Sequence, residues 1–227
     1  MPNRPLRSGA PSAGRRVVSG RKSTFTGYIP STKGGNDYRL IAYESLLERD
    51  YILHLEDDDD IVAYRDRDRA YPWEDASGNV HDWHPDFTLT TRADRRICVE
   101  VKPWAVIEKK DLLPSFALIA KAMKDVHGFD EFRLVTDREI RQPFRLYNLE
   151  ILHSARLDRE IEGSGFAVRQ AFVEETPTTI GGLRRRLAAS RIGFWSVCRL
   201  IADGTAALDD SHAPIEDRSI LDWSDPS

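Results

Sequence analysis

Apolar and polar positions along this chain follow two different periods. Over Tyr43–Glu56 the apolar residues recur at helical spacing, with a polar arc around Ser45, Arg49 and Glu56, so the pattern predicts an amphipathic helix. Glu48 falls off that arc, between Ile52 and Leu55. A carboxylate placed there needs a partner or a metal, because a desolvated lone charge is costly. The four aspartates Asp57–Asp60 read as a solvated turn, since they lack the glycine and ligand periodicity of a calcium loop.

Strand-like runs follow at Ile61–Tyr64 and, weakened by Pro72, at Ala70–Trp73. Ser77-Gly78-Asn79 signals a turn. The β-rich run Trp83–Thr91, the polar turn Arg92–Arg96 and the strand Ile97–Val101 together predict a hairpin. A helix is expected over about 108–127, with Pro114 in its first turn or marking its start and Gly128 ending it. Phe132–Thr136 reads as one more strand. Helix, hairpin, helix, strand is an α/β order built around a mixed sheet.

The chain changes character after about residue 156, where lysine disappears and Gly163-Ser164-Gly165 marks a connection. A capped helix start at Thr178–Leu187, a second helix at Phe194–Ala202 and two strand-like pieces, Thr205–Leu208 and Ser219–Trp223, give the winged-helix order. A small packing or partner-docking domain is the other reading of that pattern. The division expected is therefore an arm over 1–36, an α/β domain over 37–155 and a small domain over 156–227.

Composition narrows the class. The 227 residues, 41% hydrophobic and 31% charged, suit a water-soluble globular chain. No apolar run approaches the roughly 20 residues of a membrane span, and the basic N-terminus has no apolar core of a secretory signal, so a cytoplasmic protein is expected. Cys98 and Cys198 are too few and too far apart for a disulfide framework or a zinc site, and read as buried thiols. The net charge of -4 hides a contrast: residues 1–36 hold seven basic residues and no acidic one, leaving 26 basic against 37 acidic residues in the rest. A basic arm on an acidic body suggests a polyanionic partner, with a solvated tail as the alternative.

The candidate chemistry lies in the hairpin. Residues two apart on a strand face the same side, so Glu100 and Lys102 point one way while Val99 and Val101 point into the core. The hairpin brings Asp86 beside Glu100. Two converging carboxylates, water and the main-chain carbonyl of Val101 make an oxygen site suited to magnesium. Lys102 on the same face is placed to position or deprotonate a water and to stabilise charge on a phosphate. A surface hairpin that carries these residues by chance is the alternative on the residues alone. His81 and His84 flank the site and suit hydrogen bonding or phosphate contact better than zinc. Trp73, Trp83 and Trp104 read as core, and Lys109, Lys110, Lys121 and Lys124 as either a DNA-facing or a solvated helix face.

Five segments together resemble a known family: Gly27-Tyr28-Ile29-Pro30-Ser31, Glu44-Ser45-Leu46-Leu47-Glu48-Arg49-Asp50, His84-Pro85-Asp86-Phe87, Val99-Glu100-Val101-Lys102-Pro103 and Leu134-Val135-Thr136-Asp137-Arg138-Glu139-Ile140. The arrangement resembles the PD-(D/E)xK nuclease superfamily and, within it, the TnsA-type endonuclease subunit of heteromeric transposons. The resemblance implies a restriction-endonuclease-like mixed sheet flanked by helices, with a small C-terminal winged-helix-like domain. It implies catalytic residues at Glu48 (rather than Glu44), Asp86, Glu100 and Lys102, and Mg2+ held by Asp86, Glu100, Val101 and Glu48, with Mn2+ able to substitute. It implies cutting of one strand of double-stranded DNA at transposon ends, beside a DDE-family transposase and an AAA+ ATPase regulator, with a homodimer left open and no membrane partner. A standalone nuclease of defence, repair or phage maturation, and a catalytically silent DNA- or protein-binding subunit, are the alternatives.

Overall fold

The computed structural model describes residues 25–34, 39–157, 178–187 and 193–223. Most of the arm assigned to residues 1–36, and the Gly163-Ser164-Gly165 connection, lie outside them. The chain divides into two units, Met1–Ile140 and Arg141–Ser227. The sequence places its division after residue 155; the difference is one helix, which packs with the second unit. Among the described residues no helix is long and apolar enough to cross a membrane.

In the first unit, β1 (Gly27–Ser31) and β2 (Arg39–Tyr43) form an antiparallel pair. Helix α1 (Leu46–Asp57) follows, and its start is written in Ser45-Leu46-Leu47-Glu48. Ser45 is extended (φ −144°, ψ 156°), and its hydroxyl accepts the Glu48 amide at 3.1 Å. Glu48 reaches back, accepting from Glu44 N at 2.7 Å and Ser45 Oγ at 2.9 Å. This is a capping box whose carboxylate reaches one residue further back than usual. Leu47, Tyr51, Ile52 and Leu55 bury one face of the helix, each worth about 1.5–3 kcal/mol. Asp58–Asp60 are an exposed turn that hands the chain to the next strand, with Ile61 N donating to Asp58 O at 3.1 Å.

Glu56 departs from the sequence expectation. Its place on the polar arc predicts exposure, yet it is 3% exposed. Its carboxylate accepts from Ser31 Oγ at 2.5 Å, Tyr64 Oη at 2.7 Å, Thr32 Oγ1 at 2.9 Å and Thr32 N at 3.0 Å. Four donors replace water around the charge, and the end of β1 is thereby tied to the last turn of α1.

Four strands make the main sheet: β3 (Ile61–Asp66), β6 (Phe87–Thr91), β7 (Arg96–Val101) and β8 (Glu131–Val135), in that spatial order. The first two junctions are antiparallel and β7–β8 is parallel, so the sheet is mixed. A parallel neighbour requires a crossover, supplied by α2 (Trp104–Lys110) and α3 (Leu113–Asp125). The single helix expected over 108–127 is two: Asp111 takes a left-handed conformation (φ 47°) between them, and Pro114 sits in the first turn of α3, where its missing N–H costs nothing.

Alternation along β7 divides the core. Ile97, Val99 and Val101 pack with Leu47, Ile52 and Leu55 of α1, whereas Cys98 packs with Ile107, Phe116, Ile119 and Met123 on the opposite face. Glu100 shares the face of Cys98. A two-stranded ribbon, β4 (Tyr71–Glu74) and β5 (Val80–Trp83), lends Tyr71 and Trp83 to that second core. Pro72 is tolerated because the ribbon has only two strands, leaving it an edge. Helix α4 (Asp137–Ile140) closes the unit.

The second unit contains α5 (Arg145–Leu157), β9 (Thr178–Thr179), α6 (Ile180–Arg186), α7 (Phe194–Ala202), β10 (Ala206–Leu208) and β11 (Ile220–Trp223), with strand order β10-β11-β9, all antiparallel. Leu152, Ala155, Leu183, Val197, Cys198 and Leu221 lie in one core. Thr179 caps α6 by accepting the Gly182 amide at 3.0 Å. A Cβ on Gly181 would meet Asp217 O at 3.0 Å, so any larger residue would have to push that loop back by a few tenths of an ångström. Buried Asn148 ties the β10–β11 connection to α5: it donates to Ala213 O at 2.8 Å and accepts from Ile215 N at 2.9 Å.

Candidate functional site

The carboxyl end of β7 gathers three of the four side chains singled out from the sequence. β6 and β7 pair Phe87 with Val99, and the ladder runs one step further through Asp86 N to Val99 O at 2.9 Å. The Asp86 side chain then takes over the pairing, its Oδ2 accepting Val101 N at 2.7 Å. One residue on, Lys102 N donates to Val135 O at 3.0 Å, so the backbone beneath the lysine is held by β8. Lys102 Nζ lies 2.5 Å from Glu100 Oε1, and Trp83 Nε1 donates to Glu100 Oε2 at 3.0 Å. Glu100 is only 6% exposed, whereas the Lys102 side chain is 33% exposed. The ion pair therefore has a buried anion and a cation that reaches solvent.

Glu48 stands apart from these direct bonds. Both its oxygens serve the start of α1, yet its charge is felt by Asp86 and by Lys102. Burial, and then the Glu100 and Glu48 carboxylates, push Asp86 well above the usual carboxylate range, with the Val101 amide and Lys102 pulling the other way. Burial raises Glu48 as well, opposed by the Glu44 amide and the Ser45 hydroxyl. Burial also works against the charge on Lys102, but Glu100, Asp86 and Glu48 outweigh it and hold the amine above its ordinary value. Three acids around one amine leave an excess of negative charge that a further cation would relieve.

Among the described residues no group of three or more His, Cys, Asp or Glu side chains is gathered so as to hold a metal ion. Magnesium needs less, since one or two carboxylates suffice when water and substrate oxygens complete its shell. Asp86 Oδ1 accepts no hydrogen bond among the described residues, and each Glu100 oxygen carries one contact and keeps a lone pair. These two hard-oxygen side chains fit such an ion. Val101 contributes its amide, to Asp86.

Two neighbours escaped the sequence reading. Arg67, just past β3, has a left-handed backbone (φ 51°), donates from its amide to Asp86 O at 3.2 Å and pairs with Glu44 Oε1 at 2.8 Å. Its charge also lowers the Glu48 value. No local pattern announces it. Trp83 read as core, which its 8% exposure bears out, but its N–H is spent on Glu100. His81 pairs with Asp75 at 2.8 Å, and His84 is exposed. Lys109, Lys110, Lys121 and Lys124 are exposed on α2 and α3, with Lys121 bound to Asp125 at 2.6 Å. Trp73 and Trp104 are half-buried, and the Arg138 guanidinium lies 4.7 Å from the Trp104 ring centre.

No protein-family model matches the chain, and no curated protein matches it.

Proposed function

We propose that this chain is a metal-dependent DNA endonuclease with a restriction-endonuclease-like fold, acting as the TnsA-like strand-cleaving subunit of a heteromeric transposase. One observation carries the reading: Asp86, Glu100 and Lys102 meet at the end of β7, with Asp86 locked to the Val101 amide and Lys102 to the Glu100 carboxylate. Few structural roles call for a half-exposed amine and a buried carboxylate beside a second carboxylate that keeps an unclaimed oxygen.

A magnesium ion held by Asp86 and Glu100, with the Val101 carbonyl and the Glu48 charge in support, would supply Lewis-acid polarisation of a phosphodiester and a more acidic water. Lys102 keeps its proton at neutral pH and offers positive charge at the solvent-facing edge, where a phosphate would arrive. Glu100 orients that amine. Asp86 holds its own orientation through Val101, which leaves Oδ1 for the ion. Glu48 adds negative charge from α1, and Arg67 limits it.

In the second unit, the order α5, β9, α6, α7, β10, β11 with strands arranged β10-β11-β9 supports the reading of a winged-helix-like docking module. The partners proposed are double-stranded DNA, a DDE-family transposase, an AAA+ ATPase and, within an assembly, a second copy. The silent DNA- or protein-binding subunit is the second reading, favoured by the engagement of both Glu48 oxygens in a helix cap.

The test is nicking of supercoiled DNA by the full chain, alone and with its genomic neighbours, in Mg2+, Mn2+ or EDTA. Metal-dependent nicking by the wild type, lost in both Asp86→Ala and Lys102→Ala, is the expected result. Absence of any metal-dependent difference between the wild type and these variants, with partners present, would favour the silent subunit.

A further inference from the structure

We infer that Trp83 is a positioning residue for Glu100, its indole N–H fixing which way that carboxylate faces. The inference rests on the nuclease reading and deepens it.

Trp83 and Glu100 are 8% and 6% exposed, and the N–H of one meets Oε2 of the other at 3.0 Å. An indole N–H can only donate, and a buried one seeks an acceptor. An ionised carboxylate provides it, and here each of its two oxygens is claimed from a different side: Oε2 by Trp83 and Oε1 by Lys102. Rotation of the carboxylate is thereby blocked in both senses. The ring itself is held by Phe132 of β8, with centroids 5.4 Å apart, and by the register of the ribbon, where Trp83 faces Tyr71. The ribbon stands outside the main sheet, so its packing does not otherwise need to know where Glu100 points. Three residues beyond Trp83, across Pro85 with its fixed φ, the same segment delivers Asp86. One short stretch therefore sets both carboxylates of the site.

Trp83→Phe keeps an aromatic ring and removes the donor. The full chain is titrated with Mn2+, free ion being read by electron paramagnetic resonance, and its melting temperature is recorded without metal. Trp83→Phe is expected to weaken Mn2+ binding about tenfold, as loss of a bond that orients a metal ligand does, while melting within a few degrees of the wild type. In a Glu100→Gln background the same change is expected to add nothing. The Trp83 indole resonance, identified by its loss in Trp83→Phe, is expected to shift when Glu100→Gln weakens the acceptor. Should Trp83→Phe fail to fold, β-(3-benzothienyl)alanine at position 83, which replaces only the N–H by sulfur, carries the same titration. Mn2+ binding within twofold of the wild type, or an indole resonance unmoved by Glu100→Gln, overturns the inference and leaves the nuclease reading standing. A wild type that binds no Mn2+ sinks that reading and this inference with it.

Discussion

Asp86 Oδ2 accepts the Val101 amide at 2.7 Å, a side-chain bond at the point where the β6–β7 ladder would otherwise stop. The bond commits one oxygen of the carboxylate and leaves the other without a hydrogen bond among the described residues. Stability and chemistry therefore make opposite demands on this residue. An amide oxygen would accept from Val101 equally well, without the burial cost of a charge beside Glu100 and Glu48.

Asp86→Asn is accordingly expected to stabilise the metal-free protein by about 1 kcal/mol at neutral pH, as relief of a strained functional site does. Metal-dependent nicking should fall ~10³-fold. Urea unfolding and plasmid nicking on the same preparation check both halves. A destabilised Asp86→Asn would show that the carboxylate is held for the fold.

The raised values of Asp86 and Glu48 give a signed pH dependence. Folding makes the charged form of both groups less favourable than it is in the unfolded chain, so their contribution is fully present below the unfolded carboxylate range, near pH 4. It is lost as pH rises through the higher folded values. Melting temperature in EDTA should decline from weakly acidic to neutral pH, and Mg2+ should restore more of it at the neutral end. Lys102 has the same sign at a higher pH. Its raised value keeps its contribution intact until the pH passes above the ordinary 10.5, outside the window tested. A melting temperature in EDTA that rises between pH 5 and 8, with Asp86→Asn rising in parallel, would contradict the carboxylate assignment.

Glu48 combines two duties that substitution separates. Glu48→Ala loses the capping box and should cost about 1 kcal/mol. Glu48→Gln retains one acceptor for the Glu44 amide or the Ser45 hydroxyl and should cost less than half of that. If the charge serves cleavage, both variants should be inactive in nicking despite their different stabilities. An active Glu48→Gln would reduce the residue to a cap.

Glu56 is the converse case, a buried carboxylate with no claim on the chemistry. Glu56→Ala strands the hydroxyls of Ser31 and Tyr64 inside the fold and frees the end of β1, at a cost on the order of 3 kcal/mol. Chemical denaturation measures it. Nicking per folded molecule should stay near the wild-type value.

What could be read in advance depended on how local each cause is. The hairpin was legible because Ile97–Val101 alternate at the strand period and a polar turn precedes them. The partner of Glu48 was open to reading in the spacing Ser45-Leu46-Leu47-Glu48, but the apolar stripe set Ser45 on the polar arc and passed the cap over. Glu56 was not, because its donors come from Ser31, Thr32 and Tyr64, on two other strands' worth of chain. Helix α5 escaped because Asn148 and His153 are buried on it, which breaks the apolar stripe that announces a helix. The bond from Trp83 to Glu100 has no sequence signature, since the run Trp83–Thr91 reads as one arm of the hairpin, whereas the structure ends β5 at Trp83 and starts the hairpin arm at Phe87.

In β7 the residues Ile97–Val101 are all buried, and the strand is bonded to β6 on one side and to β8 on the other. Its amide protons can meet deuterated solvent only when the sheet itself comes apart, however often the ribbon tip or the aspartate turn breathes. The Val101 proton differs, because it is gripped by the Asp86 side chain at the end of the ladder and is freed whenever that carboxylate lets go. Its exchange rate, set beside that of the other β7 amides, therefore separates lapses of the carboxylate geometry from opening of the sheet.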